Sequence, residues 1–185
     1  MQPYLYHPNL ILHSEDFPDV SLRPITAADT EQVLSWRNDP FVVENFIYRK
    51  PISKAEHLDW LTKKVYTGAV YQFLILYKET PVGCIYLQHF DAERNAMESG
   101  IFCSPSMPRR QGIATTAETL LKQYASDSLH LDRLFARVLS ENTASNRLHP
   151  AAGYHVIPPF EGEGEVEIDG RKHQVIFYEA NLQNE

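Results

Sequence analysis

Residues 98–115 read Glu98-Ser99-Gly100-Ile101-Phe102-Cys103-Ser104-Pro105-Ser106-Met107-Pro108-Arg109-Arg110-Gln111-Gly112-Ile113-Ala114-Thr115. A strand-like apolar run ends at Cys103, a loop with two prolines and two arginines follows, and a glycine opens a helix. Ile113, Ala117, Leu120, Leu121 and Tyr124 continue that helix at helical spacing. The first turn of a helix has several N–H groups without intrahelical partners, and its dipole favours an anion there. A pyrophosphate fits such a terminus when no side chain blocks the approach. Gly112 and Ala114 are small enough to permit it, and Arg109 and Arg110 add positive charge. On these residues alone, a plain strand-to-helix loop with two solvated arginines is the more ordinary reading.

Working outward, Val20 to Ile25 has the pattern of a short strand, with Pro24 at its end or at a sheet edge. Thr26 to Asp29 resembles a helix N-cap, and the helix is expected to run to about Asn38, where Asn38-Asp39-Pro40 breaks it. Ser53-Lys54-Ala55-Glu56 is a capping box opening a second helix, with Leu58, Leu61 and Val65 on one face. Three strands with short connections follow, Tyr71 to Tyr77, Thr80 to Phe90 and Arg94 to Cys103, predicting an antiparallel meander. After the helix opened by Gly112 come a strand over Leu134 to Leu139 and a short helix over Asn142 to Ala152 that Gly153 ends. Asp169-Gly170 between Val166 to Ile168 and Val175 to Tyr178 predicts a hairpin with a type I′ turn. The order β-α-α-β-β-β-α-β-α-β-β gives an α/β fold with a mixed, mostly antiparallel sheet and helices on its faces.

The length of 185 residues makes residues 1–185 a single domain, with residues 1–18 a possible N-terminal extension whose Leu10-Ile11-Leu12 forms an edge strand or an ordered tail. At 43% apolar and 22% charged, the chain supports one core. No apolar run approaches the ~18 residues of a membrane span, and Met1-Gln2-Pro3-Tyr4 has no secretory n-region, so a cytoplasmic location without membrane partners is expected. A net charge of -7 argues against nucleic acid and is compatible with a cationic substrate, or with solubility alone. Cys84 and Cys103 lie in apolar strands and read as reduced thiols, with no ligand set for a metal.

Two motifs in order resemble the GNAT (Gcn5-related N-acetyltransferase) family. Arg109-Arg110-Gln111-Gly112-Ile113-Ala114 is similar to its pyrophosphate loop, Gln/Arg-x-x-Gly-x-Gly/Ala, in its usual place between the fourth strand and the third helix. Asn142-Thr143-Ala144-Ser145-Asn146-Arg147-Leu148, followed by Gly153-Tyr154, is similar to its Asn-x-x-Ala/Ser-x-x-Leu segment and the Gly-aromatic pair beyond it. Leu22-Arg23-Pro24, Asp29 and Trp36-Arg37-Asn38-Asp39-Pro40 resemble the start of the ribosomal-protein N-acetyltransferase-like branch. The resemblance runs from about Val20 to Phe160. It implies the GNAT fold and transfer of an acetyl group from acetyl-CoA, with no metal, to a primary amine.

The resemblance also implies roles. Ile101, Phe102 and Cys103 would pair with the pantetheine arm, Arg109, Arg110, Gln111, Gly112, Ile113 and Ala114 would hold the pyrophosphate, and Asn142 and Ser145 would contact the cofactor from the facing wall. Asn142 has an alternative role as a helix cap. An alkylamine of pKa near 10.4 is neutral at pH 7 only at a cost of about 4.6 kcal/mol, against about 1 kcal/mol for an α-amine, so a general base is expected. Glu98, on the fourth strand, is the first candidate, with a surface or cross-strand carboxylate as its alternative. The family often places a tyrosine seven residues after the motif asparagine to protonate the thiolate. His149 stands there, followed by Pro150, so an acid role competes with a structural one, and Tyr154 is the fallback donor.

Trp36-Arg37-Asn38 together with Glu56-His57-Leu58-Asp59-Trp60-Leu61 resembles the nucleotide-sugar amine acetyltransferases, which makes Trp36, Arg37, Asn38 and His57 candidates for substrate binding. Core packing is the alternative for Trp36, and a structural hydrogen bond for His57. A small amine, a protein N-terminus, and a silent acyl-CoA-binding module are the open readings, in a monomer or homodimer.

Overall fold

Strand segments that are apolar at successive positions must be covered on both faces. The computed structural model, which describes residues 6–183, meets that demand with one sheet between two helical layers. Strands β1 (Leu12–His13), β2 (Val20–Pro24), β3 (Tyr71–Tyr77), β4 (Thr80–Asp91) and β5 (Ala96–Cys103) are successive antiparallel neighbours. β6 (Arg133–Leu139) lies parallel to β5. The sheet ends with β7 (His155–Ile157), β8 (Glu165–Ile168) and β9 (Arg171–Asn181), and its order is β1-β2-β3-β4-β5-β6-β9-β7, with β8 paired to β9. The mixed, mostly antiparallel sheet expected from the element order is therefore present.

The helices are α1 (Thr30–Arg37), α2 (Pro40–Val43), α3 (Lys54–Trp60), α4 (Ile113–Asp127) and α5 (Thr143–Ala151). Alternate strand residues face opposite layers. Phe73, Ile75, Ile85 and Leu87 pack beneath Ile113, Ala117, Leu120 and Leu121 of α4. Leu74, Cys84 and Phe102 pack on the other side against Val33 and Trp36 of α1 and against Leu61 and Val65. Asp29 accepts from the Thr26 N–H at 2.8 Å and from both Arg23 Nη atoms at 2.8 and 2.7 Å, which ties the entry to α1 onto β2. The Ser53–Glu56 capping box opens α3. At the hairpin tip Asp169 and Gly170 both have positive φ, 50° and 74°, as the type I′ turn requires.

The structure departs from the expected elements at β7, a strand that the element order lacks, at Asp39-Pro40 and at the end of α3, and it sets the bounds of the N-terminal edge strand. Asp39-Pro40 does not simply end α1; the Asp39 side chain accepts from Phe41 N–H and caps the one-turn α2. Proline suits this first helical position because its missing N–H has no partner there anyway. The end of α3 widens into a π-helical turn at Leu61–Val65. Within residues 1–18, Leu12 and His13 form an edge strand against Leu22 and Ser21, while residues 1–5 lie outside the described residues.

Glu118, among the apolar residues of α4, is fully buried. Its Oε2 accepts from Tyr154 at 3.1 Å, and Tyr154 is 3.1 Å from Ser99 Oγ on β5. Burial raises its carboxyl pKa to about 7, and the Tyr154 bond and Lys122 only partly offset this. The folded chain thus holds a proton on Glu118 that the unfolded chain releases near the usual carboxyl value, so this group's contribution is complete at low pH and is lost as pH rises through about 7. Urea unfolding of wild type and Glu118→Gln from pH 4.5 to 8 will show the wild-type midpoint falling relative to the variant as pH rises; parallel profiles would place no buried proton there. Leu121→Ala, at a fully buried position of α4, will lower unfolding stability by about 2–5 kcal/mol in the same assay.

Candidate active site

β5 and β6 pair only through Ala96–Arg133, Met97–Leu134 and Glu98–Phe135, although both strands run on, to Cys103 and Leu139. Past Glu98, β5 keeps β4 on its other side and β6 keeps β9. The fork opens a cavity of about 630 Å³. One wall is Ile101, Phe102 and Cys103, the facing wall is Ala136 and Val138, and the connection after α1 covers it with Phe41, Phe46 and Tyr48. Alternate residues of β5 beyond Glu98 have backbone groups that no strand takes up on that side, which suits an extended amide-bearing chain. Burial raises the Cys103 thiol to about 11, so it lines this wall as a neutral group.

At the end of the cavity nearest α4, Arg109 and Ala114 reach the lining. Arg110 and Gly112 both have positive φ, 59° and 70°. Gly112 is the N-cap of α4, makes no side-chain cap, and a Cβ built there would meet nothing within 4 Å. The first-turn N–H groups of α4 therefore face open space, and the glycine supplies a backbone turn that other residues rarely adopt. Tyr77 donates to Gln111 Oε1 at 2.9 Å and pins the loop to β3. Ile113 is buried in the core, so only its backbone is available to a ligand. This cradle fits the diphosphate of acetyl-CoA by charge, by free donors and by space.

Asn142 and Ser145 also line the cavity. The Asn142 side chain caps α5 by accepting from Ser145 N–H at 3.1 Å, the alternative role expected for it. Tyr154 does not line the cavity; it is buried beneath it, and burial raises its pKa well above that of an ordinary phenol.

Three expectations change. Glu98 faces the cavity, but its oxygens are already engaged: Arg137 Nε donates to Oε1 at 2.9 Å, and Oε2 accepts from Arg137 Nη2 at 3.1 Å and lies 2.6 Å from His89 Nδ1. A carboxylate so held has neither oxygen free of a protein partner, which the simple base expectation did not include. His149 lines the cavity but is buried between Tyr154 and Tyr178, with ring centroids 5.0 Å away in each case. Its Nδ1 donates to the Ser145 carbonyl at 2.9 Å, leaving Nε2 buried and unpartnered among the described residues. Burial lowers its pKa more than that bond raises it. The imidazole is thus neutral near pH 7 with its proton on Nδ1, the opposite of the proton-donor arrangement.

The substrate-contact set also moves. Trp36 and His57 are buried, with His57 Nδ1 3.2 Å from Thr30 Oγ1. Arg37 is buried, donates to the Tyr48 carbonyl at 2.6 Å and lies 3.9 Å over the Phe46 ring. Asn38 brackets Ile52 through both its amide atoms. None of these four lines the cavity; Arg37 and Asn38 hold the covering segment from behind, whereas Trp36 packs in the core and His57 lies against Thr30 and Trp60. Sequence reasoning missed His89 and Arg137. Arg137 had a signal, a cation in the apolar run Leu134 to Leu139, whereas His89 had none.

Among the described residues no group of His, Cys, Asp and Glu side chains is placed to hold a metal ion, and no helix is long and apolar enough to cross a membrane. No curated protein matches the sequence. Solved structures share the fold. They include the spermidine N-acetyltransferase from Vibrio cholerae in complex with CoA and spermine, 19% identical over 89% of this chain and 96% of that chain, TM-score 0.78. A GNAT-family acetyltransferase from Bacillus anthracis is 17% identical over 94% and 99%, TM-score 0.76. The ribosomal L7/L12 alpha-N-protein acetyltransferase RimL in complex with CoA is 17% identical over 88% and 94%, TM-score 0.74. The acetyltransferase (GNAT) domain family matches residues 19–155, which is most of the chain. The chain therefore belongs to the GNAT family and is an acetyl-CoA-dependent acyltransferase.

Proposed function

We propose that the protein acetylates the primary amine of a small polar molecule, an amino sugar or a nucleotide-linked amino sugar. The observation that carries this reading is the make-up of the cavity where the strands part. There Arg137 and His89 stand beside Glu98, and Phe46 and Tyr48 lie in the cover. A polyamine, the ligand class of the Vibrio cholerae neighbour, calls for unpaired carboxylates. Here Arg137 already balances Glu98 at the fork and His173 pairs with Glu141, which leaves Glu44 as the one lining carboxylate without an ion pair among the described residues. Cation, imidazole and aromatic rings together suit a substrate with hydroxyl or anionic groups and one amine.

The cover itself favours a small acceptor. Arg37 holds the Tyr48 carbonyl, Asn38 holds Ile52, and Arg49 donates to the carbonyls of Phe46 and Glu44. A segment fixed by so many internal bonds roofs the cavity without parting for a chain. Bound acetyl-CoA supplies an activated acetyl thioester. The residues that would hold it are Ile101, Phe102 and Cys103 along β5, Arg109 to Ala114 at the first turn of α4, and Asn142 and Ser145 opposite. The remaining task of the protein is to place the amine at the fork and remove its proton.

The test is thiol release from acetyl-CoA with glucosamine, a nucleotide-linked amino sugar, spermidine and a short peptide as acceptors. Turnover with the amino sugars and little with spermidine or peptide is the expected result. Preference for the peptide would make the protein an N-terminal acetyltransferase of proteins. No turnover alongside a CoA-induced rise in melting temperature would make it a silent acyl-CoA-binding module. Gly112→Trp fills the diphosphate cradle and will weaken CoA binding, read by calorimetry, by at least about 10-fold, equivalent to ~1.4 kcal/mol.

A further inference from the structure

The pairing of β4 with β5 slips next to the fork. Gln88 lies opposite Glu98, but the next pair is Asp91 with Ala96, so His89 and Phe90 share the span facing Met97. His89 itself has φ of +51°. A bulge of this kind re-aims a side chain, and a non-glycine residue in the left-handed region is strained and persists only where its surroundings hold it there. In a regular strand His89 would point to the face opposite Gln88. Here both reach the same carboxylate, Gln88 Nε2 at 3.4 Å and His89 Nδ1 at 2.6 Å from Glu98 Oε2.

Three side chains therefore form a line into the cavity. Arg137 grips Glu98 with Nε and Nη2, Glu98 is almost fully buried, and His89 is the exposed member, with 63% of its side chain open. A carboxylate can only accept, so His89 donates from Nδ1. In the neutral ring the lone pair is then on Nε2, which has no protein partner among the described residues. Arg137 already balances the charge of Glu98, so the ring keeps its Nδ1 bond whether or not Nε2 carries a proton. A positioned base, held by a group that is itself held, is the arrangement that general-base catalysis requires.

We propose that His89 is the general base of the transfer and that Glu98 and Arg137 are its positioning residues. The proposal rests on the amine-acetylating function given above. His89 Nε2 takes one proton from the acceptor ammonium, and the freed nitrogen lone pair forms the new C–N bond to the acetyl carbon. The C–S bond breaks, its electron pair leaves on sulfur, and the thiolate takes the second proton that the nitrogen sheds. The imidazolium returns its proton to solvent, to which the ring is open.

The experiment compares wild type and His89→Gln with glucosamine, spermidine or the peptide, whichever the wild type acetylates, at pH 7. Glutamine can still donate to Glu98 but takes no proton. Expected is a fall in kcat/KM of about 100-fold or more, with CoA affinity by calorimetry and melting temperature unchanged. Added imidazole will restore part of the turnover of His89→Ala. With hydroxylamine, an acceptor already neutral at pH 7, the His89→Gln defect will shrink. An active wild type with an equally active His89→Gln overturns the proposal. So does a defect of the same size with hydroxylamine, which would mark a purely structural histidine. A wild type that binds CoA but acetylates no amine overturns the proposed function first and the base role with it.

Discussion

The separation of β5 from β6 beyond Glu98 is the constraint on which the rest of the molecule depends. Three parallel pairs hold the strands together, and then each keeps only its outer neighbour. A gap of this kind leaves backbone groups unpaired, which is costly unless a ligand or water takes them up. The Glu98–Arg137 pair joins the two strands at the apex of the gap, since Glu98 belongs to β5 and Arg137 to β6. A nearly buried ion pair is weak evidence for stability, because desolvation offsets its attraction. Its value here is positional: it sets where the fork begins.

The two helical layers divide the work around that fork. The α4 layer supplies the diphosphate cradle, and the burial of Ile113 beneath the first turn fixes where its free N–H groups point. The same layer carries Glu118, Tyr154 and Ser99 as a bonded series running from the helix to the strand that lines the cavity. The α1 and α3 layer supplies the cover. Buried Arg37 and half-buried Asn38 hold backbone groups of the covering segment, so the cover is shaped by residues that do not line the cavity.

Much of this was legible in the sequence, for identifiable reasons. Strand and helix periods, the Ser53–Glu56 box, the Asp169-Gly170 turn and the loop before α4 are local patterns, each decided by residues a few positions apart. The one-turn α2 was missed because Asp39-Pro40 reads equally as a stop and as a cap with proline at the first helical position. The roles of Trp36, Arg37, Asn38 and His57 depend on which face of α1 and α3 meets the sheet. A motif resemblance records that residues recur without recording whether they contact a ligand. His89 was invisible because its position depends on a register slip between β4 and β5, and one residue of slip moves a side chain to the other face.

The two cavity histidines show how environment rather than residue type assigns chemistry. His149 lies between two tyrosine rings, donates its Nδ1–H to a carbonyl, and has its other nitrogen buried without a partner among the described residues. Burial favours its neutral form, and its Nδ1 proton is engaged by the Ser145 carbonyl. Pro150 reinforces this. It lacks the N–H that would bond the carbonyl four residues back, and the chain leaves α5 through Gly153 at φ of +84°. His89 has the reverse setting on each count: exposed, bonded to a carboxylate, and carrying its free lone pair outward. A sequence motif points to His149 because it occupies the family's expected position. The fork points to His89, because that is where a strand bulge, a fixed carboxylate and open solvent meet.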